Sequence, residues 1–145
     1  MLFSAKAEYA CLSMLELAVQ YGDPHPIRLA DIADKHGIPQ RFLVQILLQL
    51  KGAGLVASTR GASGGYQLAR APDEISLADI LSIVDRTDAP VAKNSRPTAR
   101  EGEVSQLAAT LHTIWDEIQQ SRVKILRQTT LARLVEAGQG LQYVI

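Results

Sequence analysis

The sequence predicts a mainly α-helical chain that carries one small β-hairpin and has one long helix near its C-terminal end. Apolar residues recur at spacings of three and four over most of the chain, which is the period of a helix. A glycine-rich segment, Gly61 to Gly65, separates two short runs with strand-like composition. At 145 residues the chain can hold one ordinary core, or a small module with an oligomerisation element, but not two full-sized domains.

The first helix is predicted from Ser4 to Tyr21, where Gly22 and Pro24 end the pattern. Its apolar residues recur at the helical period: Ala7, Cys11, Met14, Leu15, Ala18 and Tyr21. Because Cys11 lies on this stripe, we expect it in the core. It is the only cysteine, so no intrachain disulfide can form.

The next two predicted helices are short and close together. The second has about two turns, with Leu29, Ile32 and Ala33 as its apolar residues and Gly37 at its C-terminal end. The third has Pro39 in its first turn and extends to Ala53. One apolar stripe lies along this third helix: Ile38, Phe42, Leu43, Ile46, Leu47 and Leu50. Two short helices joined by a tight turn predict a helix-turn-helix.

The side of the third helix away from the stripe is predicted to be exposed. It carries Gln40, Arg41, Val44, Gln45, Leu48 and Lys51. Two strands are predicted next, Leu55 to Thr59 and Tyr66 to Ala69, with the glycine-rich turn between them. A hairpin directly after a helix-turn-helix predicts a winged helix.

A fourth helix is predicted from Leu77 to about Arg86, because Ser76 and Asp79 have the spacing of a capping box at its start. The winged helix-turn-helix domain then spans residues 1–86. Residues 87–102 are polar, contain two prolines and show no periodicity, so we expect an exposed loop there.

Residues 103–145 are predicted to form a long dimerisation helix and a short final helix. An apolar seam runs along the long helix: Val104, Leu107, Leu111, Ile114, Ile118 and Ile125. A small module cannot cover a seam of this length, and the commonest solution is the same helix from a second copy, which predicts a homodimer. The final helix is expected from Leu131 to Ala137, with Thr130 as its cap and Gly138 as its end.

The chain has no net charge, but its charges are unevenly distributed. From Lys35 to Pro72 it contains lysine and arginine but neither Asp nor Glu. Positive charge concentrated on a helix and a hairpin predicts that this face binds a polyanion, and for a winged helix that ligand is double-stranded DNA. The candidate DNA-binding residues are Ser4, Lys6, Gln40, Arg41, Val44, Gln45, Lys51, Arg60, Gly61, Ser63, Gly64, Gly65 and Tyr66.

Several motifs occur in a fixed order along the chain. They are Lys6-x-x-Tyr9-Ala10, Leu29-x-x-Ile32-Ala33, Gly54-Leu55-Val56, Arg60-Gly61-x-x-Gly64-Gly65-Tyr66-x-Leu68, Trp115 in the long helix and Thr130-Leu131 before the last. In these motifs the chain resembles the Rrf-type bacterial winged-helix regulators, to which IscR, NsrR and CymR belong. The resemblance spans nearly the whole chain and implies a dimeric transcription factor, repressor or other regulator, that binds palindromic operators.

The resemblance also raises the question of an iron-sulfur cluster. Many members of that family hold one with three cysteines and a further ligand, a histidine in the IscR type. His112 falls at the histidine position, but Ala109, about Glu103 and about Pro97 fall where the cysteines would be. Since cluster iron is held chiefly by thiolates, we expect no cofactor and no metal site. The chain is instead similar to the cysteine-poor branch that includes CymR, whose signal can be a protein or a small metabolite.

Two other interpretations have some support in the sequence. The apolar Val44 and Leu48 on the exposed helix face would also suit a winged helix that binds a protein, such as a metabolic enzyme, in place of DNA. The Gly61-to-Gly65 segment matches the Gly-x-Ser-x-Gly pattern of hydrolases, but a strand-like run follows it where a hydrolase has a helix, and no catalytic residues are predicted. With no export signal and no membrane-spanning run, we expect a cytoplasmic protein.

Overall fold

The computed structural model describes residues 3–85 and 105–142, and within those ranges it confirms a mainly helical fold with one β-hairpin. The helices and strands follow one another as α1 Ala5–Val19, α2 Leu29–His36, α3 Gln40–Gly52, β1 Val56–Thr59, β2 Gly65–Leu68, a 3-10 turn Pro72–Glu74, α4 Leu77–Val84, α5 Gln106–Gln128 and α6 Leu131–Gln142.

Helix α1 lies at the centre of the domain and contacts α2, α3, α4, α6 and β2. Ser4 caps it, since the Ser4 hydroxyl accepts a hydrogen bond of 3.1 Å from the Ala7 N–H. The predicted stripe is only partly correct. Because neighbours cover α1 on several sides, Ala10 and Leu17 are buried as well, whereas Cys11 is half-buried and Tyr21 lies exposed beyond the end of the helix.

The helix-turn-helix is confirmed in α2 and α3. Gly37 ends α2 in the left-handed region, with φ of 64°, which glycine adopts without strain. Pro39 immediately precedes α3, and the helix ends one residue earlier than predicted. Its buried residues are Leu43, Ile46, Leu47 and Leu50. The prediction for Phe42 is wrong: this side chain is 50% exposed, because it lies at the edge of the buried row and not within it.

The wing is confirmed as an antiparallel pair, with Val56 opposite Leu68 and Thr59 opposite Gly65. A short third segment, which the sequence analysis did not predict, pairs with it. The Tyr66 N–H donates to the Ile27 carbonyl at 2.7 Å, and the Ile27 N–H donates to the Tyr66 carbonyl at 3.0 Å. These two bonds attach the wing to the residue that precedes the helix-turn-helix.

The capping box of α4 is confirmed. The Asp79 N–H donates to the Ser76 hydroxyl at 3.2 Å, and the Ser76 N–H donates to the Asp79 carboxylate at 2.9 Å. The helix ends at Val84, and Arg86 lies outside the described residues. One core joins the elements and includes Met14, Ile32, Leu43, Leu47, Leu50, Ile75, Ile80 and Leu131, all of them almost fully buried.

Helix α5 has Ser105 as its cap and continues for 23 residues. The predicted loop 87–102 and the first seam residue, Val104, lie outside the described residues. The prediction that the last helix stops before Gly138 is wrong, since α6 continues to Gln142. A glycine inside a helix costs only about 1 kcal/mol relative to alanine, and neither Gly138 nor Gly140 has a positive φ.

Candidate nucleic-acid interface

The outward side of α3 is exposed over its whole length, as predicted. Its polar residues are Gln40, Arg41, Gln45 and Lys51, and its apolar ones are Val44 and Leu48. The buried side of the same helix packs on α1, α2 and α4, which fixes the orientation of the exposed side. Helix α3 therefore presents amide, guanidinium and apolar groups together on a rigid element.

Phe42 adds an aromatic ring to this exposed surface. The guanidinium carbon of Arg41 lies 5.1 Å from the centroid of the Phe42 ring, within the range of a cation–π contact. The sequence does not identify Phe42 as a surface residue, because its spacing from Ile46 fits the apolar stripe. One signal in the sequence does indicate exposure: Leu43, Ile46, Leu47 and Leu50 already form a complete buried row without Phe42.

The wing glycines have identifiable structural roles. Gly61 has a φ of 109°, a backbone conformation that residues other than glycine rarely adopt. A Cβ atom on Gly64 would collide with the Thr59 carbonyl, and one on Gly65 would collide with the Ile27 carbonyl. The turn and the pairing with Ile27 therefore require these glycines, and a role in phosphate contact stays a prediction for them.

The other predicted wing residues differ in exposure. Arg60 and Ser63 are exposed, whereas Tyr66 is half-buried and packs against the core. Much of the Tyr66 side chain is therefore occupied by packing contacts within the protein.

Arg28 belongs to the same surface, although it is not among the candidate residues that the sequence suggests. It immediately precedes α2, and its Nη2 atom donates a hydrogen bond of 2.5 Å to the Ala62 carbonyl at the tip of the wing. The two residues are 34 positions apart in sequence, so only the pairing of Ile27 with Tyr66, which the sequence does not reveal, brings them together.

The acid-free tract, Lys35 to Pro72, contains one cation that a residue from another helix neutralises. Glu16 of α1 accepts from the Lys35 ammonium at 2.9 Å, and the Nε2 atom of His36 also lies 2.9 Å from the same carboxylate oxygen. Partial burial acts to raise the pKa of Glu16, but the hydrogen bonds from Lys35 and His36 outweigh it and the pKa lies below its ordinary value. Lys35 therefore adds little to the positive surface.

The two candidates at the start of α1 have different surroundings. The Ser4 hydroxyl caps the helix and also donates to the Asp85 carboxylate at 3.2 Å. Its hydrogen-bonding capacity is largely used within the protein. Lys6 is exposed one residue inside the helix.

Helix α5 contributes no buried residue to the protomer. The described seam residues remain exposed, from 48% for Ile114 to 83% for Leu107, and Trp115 on the same helix is also exposed. These residues are Leu107, Leu111, Ile114, Ile118 and Ile125. The C-terminal end of α5 is attached to the domain, since the Leu77 N–H donates to the Thr129 carbonyl at 2.9 Å.

The residues of the chain do not fit an iron-sulfur cluster held by thiolates. Such a cluster takes about three or four cysteines, and the sequence has only Cys11. Burial, with the carboxylates of Asp85 and Glu8, raises the pKa of the Cys11 thiol to about 11, which disfavours the thiolate that binds metal. Within residues 3–85 and 105–142, no three His, Cys, Asp or Glu side chains form a group that could hold a metal ion.

No helix in the described part of the chain is both long and apolar enough to cross a membrane.

Comparison with known proteins identifies a family. Residues 3–137 match the Rrf2 family, described as an iron-dependent transcriptional regulator. The HTH-type transcriptional regulator IscR of Aliivibrio salmonicida is 34% identical over 135 residues, which cover 93% of this chain and 77% of that protein.

Solved structures agree with this match. IscR of T. potens superposes with a TM-score of 0.78 at 29% identity and covers 97% of this chain and 90% of its own. CymR, the global cysteine regulator of B. subtilis, superposes with a TM-score of 0.77 at 32% identity, with coverage of 93% and 96%.

Proposed function

The chain belongs to the Rrf2 family of DNA-binding transcriptional regulators and is not an enzyme, and from this premise we propose that it represses transcription as a homodimer bound to an inverted-repeat operator. The observation that carries the proposal is the exposed side of α3 beside a positively charged, glycine-rich wing.

The chemistry of α3 suits base recognition in the major groove. Amides such as Gln45 can pair with adenine, the guanidinium of Arg41 can pair with guanine, and the methyl groups of Val44 can contact thymine. Lys51 and the wing residue Arg60 then bind the flanking phosphates, which fix the position of α3 on the duplex. Gln40, like Gln45, is a candidate for base contact. The remaining proposed phosphate contacts are Lys6, Ser63 and the backbone of Gly61, Gly64 and Gly65. Ser4 and Tyr66 are proposed as well, although each side chain already makes contacts within the protein.

The dimer follows from the exposed seam of α5. Burying one large apolar side chain contributes roughly 1.5 to 3 kcal/mol, and the described seam exposes five of them besides Trp115. No element of the described protomer covers them, so we place the same helix of a second copy there, with Val104 as a further member. A two-fold axis between the copies would present two α3 helices to successive turns of DNA, about 34 Å apart, and the operator would be an inverted repeat.

The signal, in this proposal, is a small metabolite or a partner protein in the cytoplasm. The residues do not fit a family-type cluster, so the regulator responds without one. Protein purified anaerobically should then contain no iron and sulfide in proportion to the protomer, and stoichiometric iron and sulfide would contradict the assignment.

A second candidate function has one supporting observation. Val44, Leu48 and Phe42 give α3 three exposed apolar side chains, which would also suit a protein partner such as a metabolic enzyme. The positive wing favours DNA over this alternative.

The direct experiment is to capture sheared genomic DNA on the purified protein and sequence the retained fragments. We expect one enriched inverted repeat whose half-sites are about one helical turn or a multiple of it apart. A matched capture with Gln45→Ala should lose the sequence enrichment while retaining weak general binding. Fragments without any common sequence, with the wild-type protein, would contradict operator recognition.

A further inference from the structure

We propose that Arg28 and Arg60 form a two-arginine phosphate-binding site at the turn of the wing, where Arg28 also holds the wing tip in position. The inference rests on the proposed binding of duplex DNA and adds a residue to it. Arg28 lies outside the acid-free tract and outside the candidate residues that the sequence suggests.

The contact between Arg28 and Ala62 places the guanidinium beside the wing. Ile27, the preceding residue, exchanges two backbone hydrogen bonds with Tyr66, so this part of the chain lies alongside β2. From there Arg28 reaches the tip and donates to the Ala62 carbonyl at 2.5 Å. The tip is thus connected to the helix-turn-helix by a side chain as well as by the strands.

The bond to Ala62 uses only part of the Arg28 side chain. A guanidinium has five N–H donors in a planar fork, and one of them is directed to Ala62. Arg28 is exposed, so its remaining donors can reach an anion from solvent. Arginine suits this role because its fork matches the geometry of phosphate oxygens.

The surroundings of Arg28 also favour an anion. A groove between the start of α2 and the wing is lined by Arg28, Arg60, the hydroxyl residues Ser58 and Thr59, and the turn glycines. No acidic side chain is among the described residues that line this groove. The groove therefore offers hydrogen-bond donors from two guanidinium groups, two hydroxyls and the turn backbone. Donors of these kinds bind the phosphates of DNA.

A purely structural clamp predicts a different result from a phosphate site, and the salt dependence of binding separates them. Each phosphate contact contributes about −0.9 to the slope of log K against log salt. A clamp that touches only Ala62 would act through the position of the wing alone, so Arg28→Lys, which keeps the charge but not the fork, would lose the phosphate contacts of the wing, and with them slope, as Arg28→Ala does.

The experiment measures affinity for a labelled duplex by fluorescence anisotropy at several salt concentrations. Both the captured operator and an unrelated duplex of equal length serve as probes. The proteins are the wild type, Arg28→Ala, Arg28→Gln, Arg28→Lys and the control Lys124→Ala, an exposed residue of α5. Hydrogen exchange of the wing amides in each free protein reports whether the tip remains ordered.

For Arg28→Ala and Arg28→Gln we expect the slope to become shallower by about 0.9 on both duplexes and affinity to fall about three- to tenfold near 0.1 M salt. Arg28→Lys should keep the slope, because it keeps the charge. The wing-tip amides of Arg28→Lys should exchange faster than those of the wild type, because lysine lacks the guanidinium fork. Lys124→Ala should match the wild type.

Two results would overturn the proposal. A wild-type slope in Arg28→Ala and Arg28→Gln would show that no phosphate is bound, even if affinity falls. Unchanged exchange of the wing amides in Arg28→Ala would remove the positioning role. Wild-type protein that binds neither duplex would instead overturn the proposed function, which is a distinguishable outcome.

Discussion

The guanidinium carbon of Arg41 lies 5.1 Å from the centroid of the Phe42 ring, on the exposed side of α3. Stacking on an aromatic ring restricts the many rotamers of an arginine and leaves its edge N–H groups free to bind. The pair therefore explains why a large apolar side chain is tolerated at the surface of a DNA-binding regulator.

Phe42→Ala should lower the free energy of unfolding by less than about 1.5 kcal/mol, because half of the ring is already exposed. The matched control is the neighbouring Leu43→Ala. Leu43 is fully buried, so this change should cost about 2 to 5 kcal/mol through lost burial and a cavity. Urea unfolding followed by circular dichroism measures both, and equal losses would contradict the placement of Phe42 at the edge of the core.

Gly65→Ala should destabilise the wing, because the new methyl group would meet the Ile27 carbonyl. Crowding of this kind typically costs about 1 to 3 kcal/mol. Gly52→Ala is the matched control: space around that residue is open, its φ is not positive, and it lies in α3, so alanine should stabilise the protein by up to about 1 kcal/mol. Thermal unfolding of the two variants should shift in opposite directions; a shift in the same direction would show that the wing does not pack on Ile27 as described.

Much of the fold could be predicted from the sequence because local signals determine it. The capping box at Ser76, the glycine at position 37 and the helical period of the stripes all act within a few residues. The contacts that could not be predicted join distant positions, such as Arg28 with Ala62 and Glu16 with Lys35. The end of α6 was missed for another reason, since a glycine only weakly disfavours a helix that packing supports.

In the candidate site, too, features set by local sequence were predictable and features set by distant contacts were not. The exposed side of α3 is determined by the helical period and was predictable. Phe42 was misplaced because the edge of a buried stripe depends on how closely the neighbouring helices approach, which periodicity does not reveal.

Glu16→Gln should reduce stability at pH 7, because Lys35 and His36 would lose their carboxylate partner. The pKa of Glu16 is lowered in the folded protein, so its contribution is present above the unfolded pKa of about 4.3 and is lost as the pH falls through the folded value. The difference from wild type should therefore shrink below about pH 4. Urea titrations at several pH values measure it.

Glu136→Gln is the control for this titration, since Glu136 is exposed on α6. It should show little effect at any pH. A Glu16→Gln deficit that grows at low pH would contradict a stabilising, ionised Glu16.

Leu111→Asp combined with Ile118→Asp should produce monomers that keep a folded N-terminal domain. Charges in a buried apolar interface are strongly unfavourable, whereas α5 contributes no buried residue within the protomer, so its own fold does not depend on them. Sedimentation velocity at micromolar concentration, with circular dichroism, measures both properties.

Thr113→Asp combined with Gln120→Asp places the same charges with the same spacing on another face of α5 and should leave the protein dimeric. A native protein that is monomeric, or a Leu111→Asp, Ile118→Asp protein that stays dimeric, would show that the seam is not the interface.

The central claim is that α3 and the wing together bind duplex DNA. Its most direct test is the affinity of the Arg41→Ala, Arg60→Ala double variant for the captured operator, measured by fluorescence anisotropy beside wild type and the α5 variant Lys124→Ala. Each lost arginine contact to a base or a phosphate removes about 1 to 3 kcal/mol. We therefore expect the double variant to bind at least about thirtyfold more weakly while Lys124→Ala matches the wild type; equal affinity of all three proteins would contradict the account.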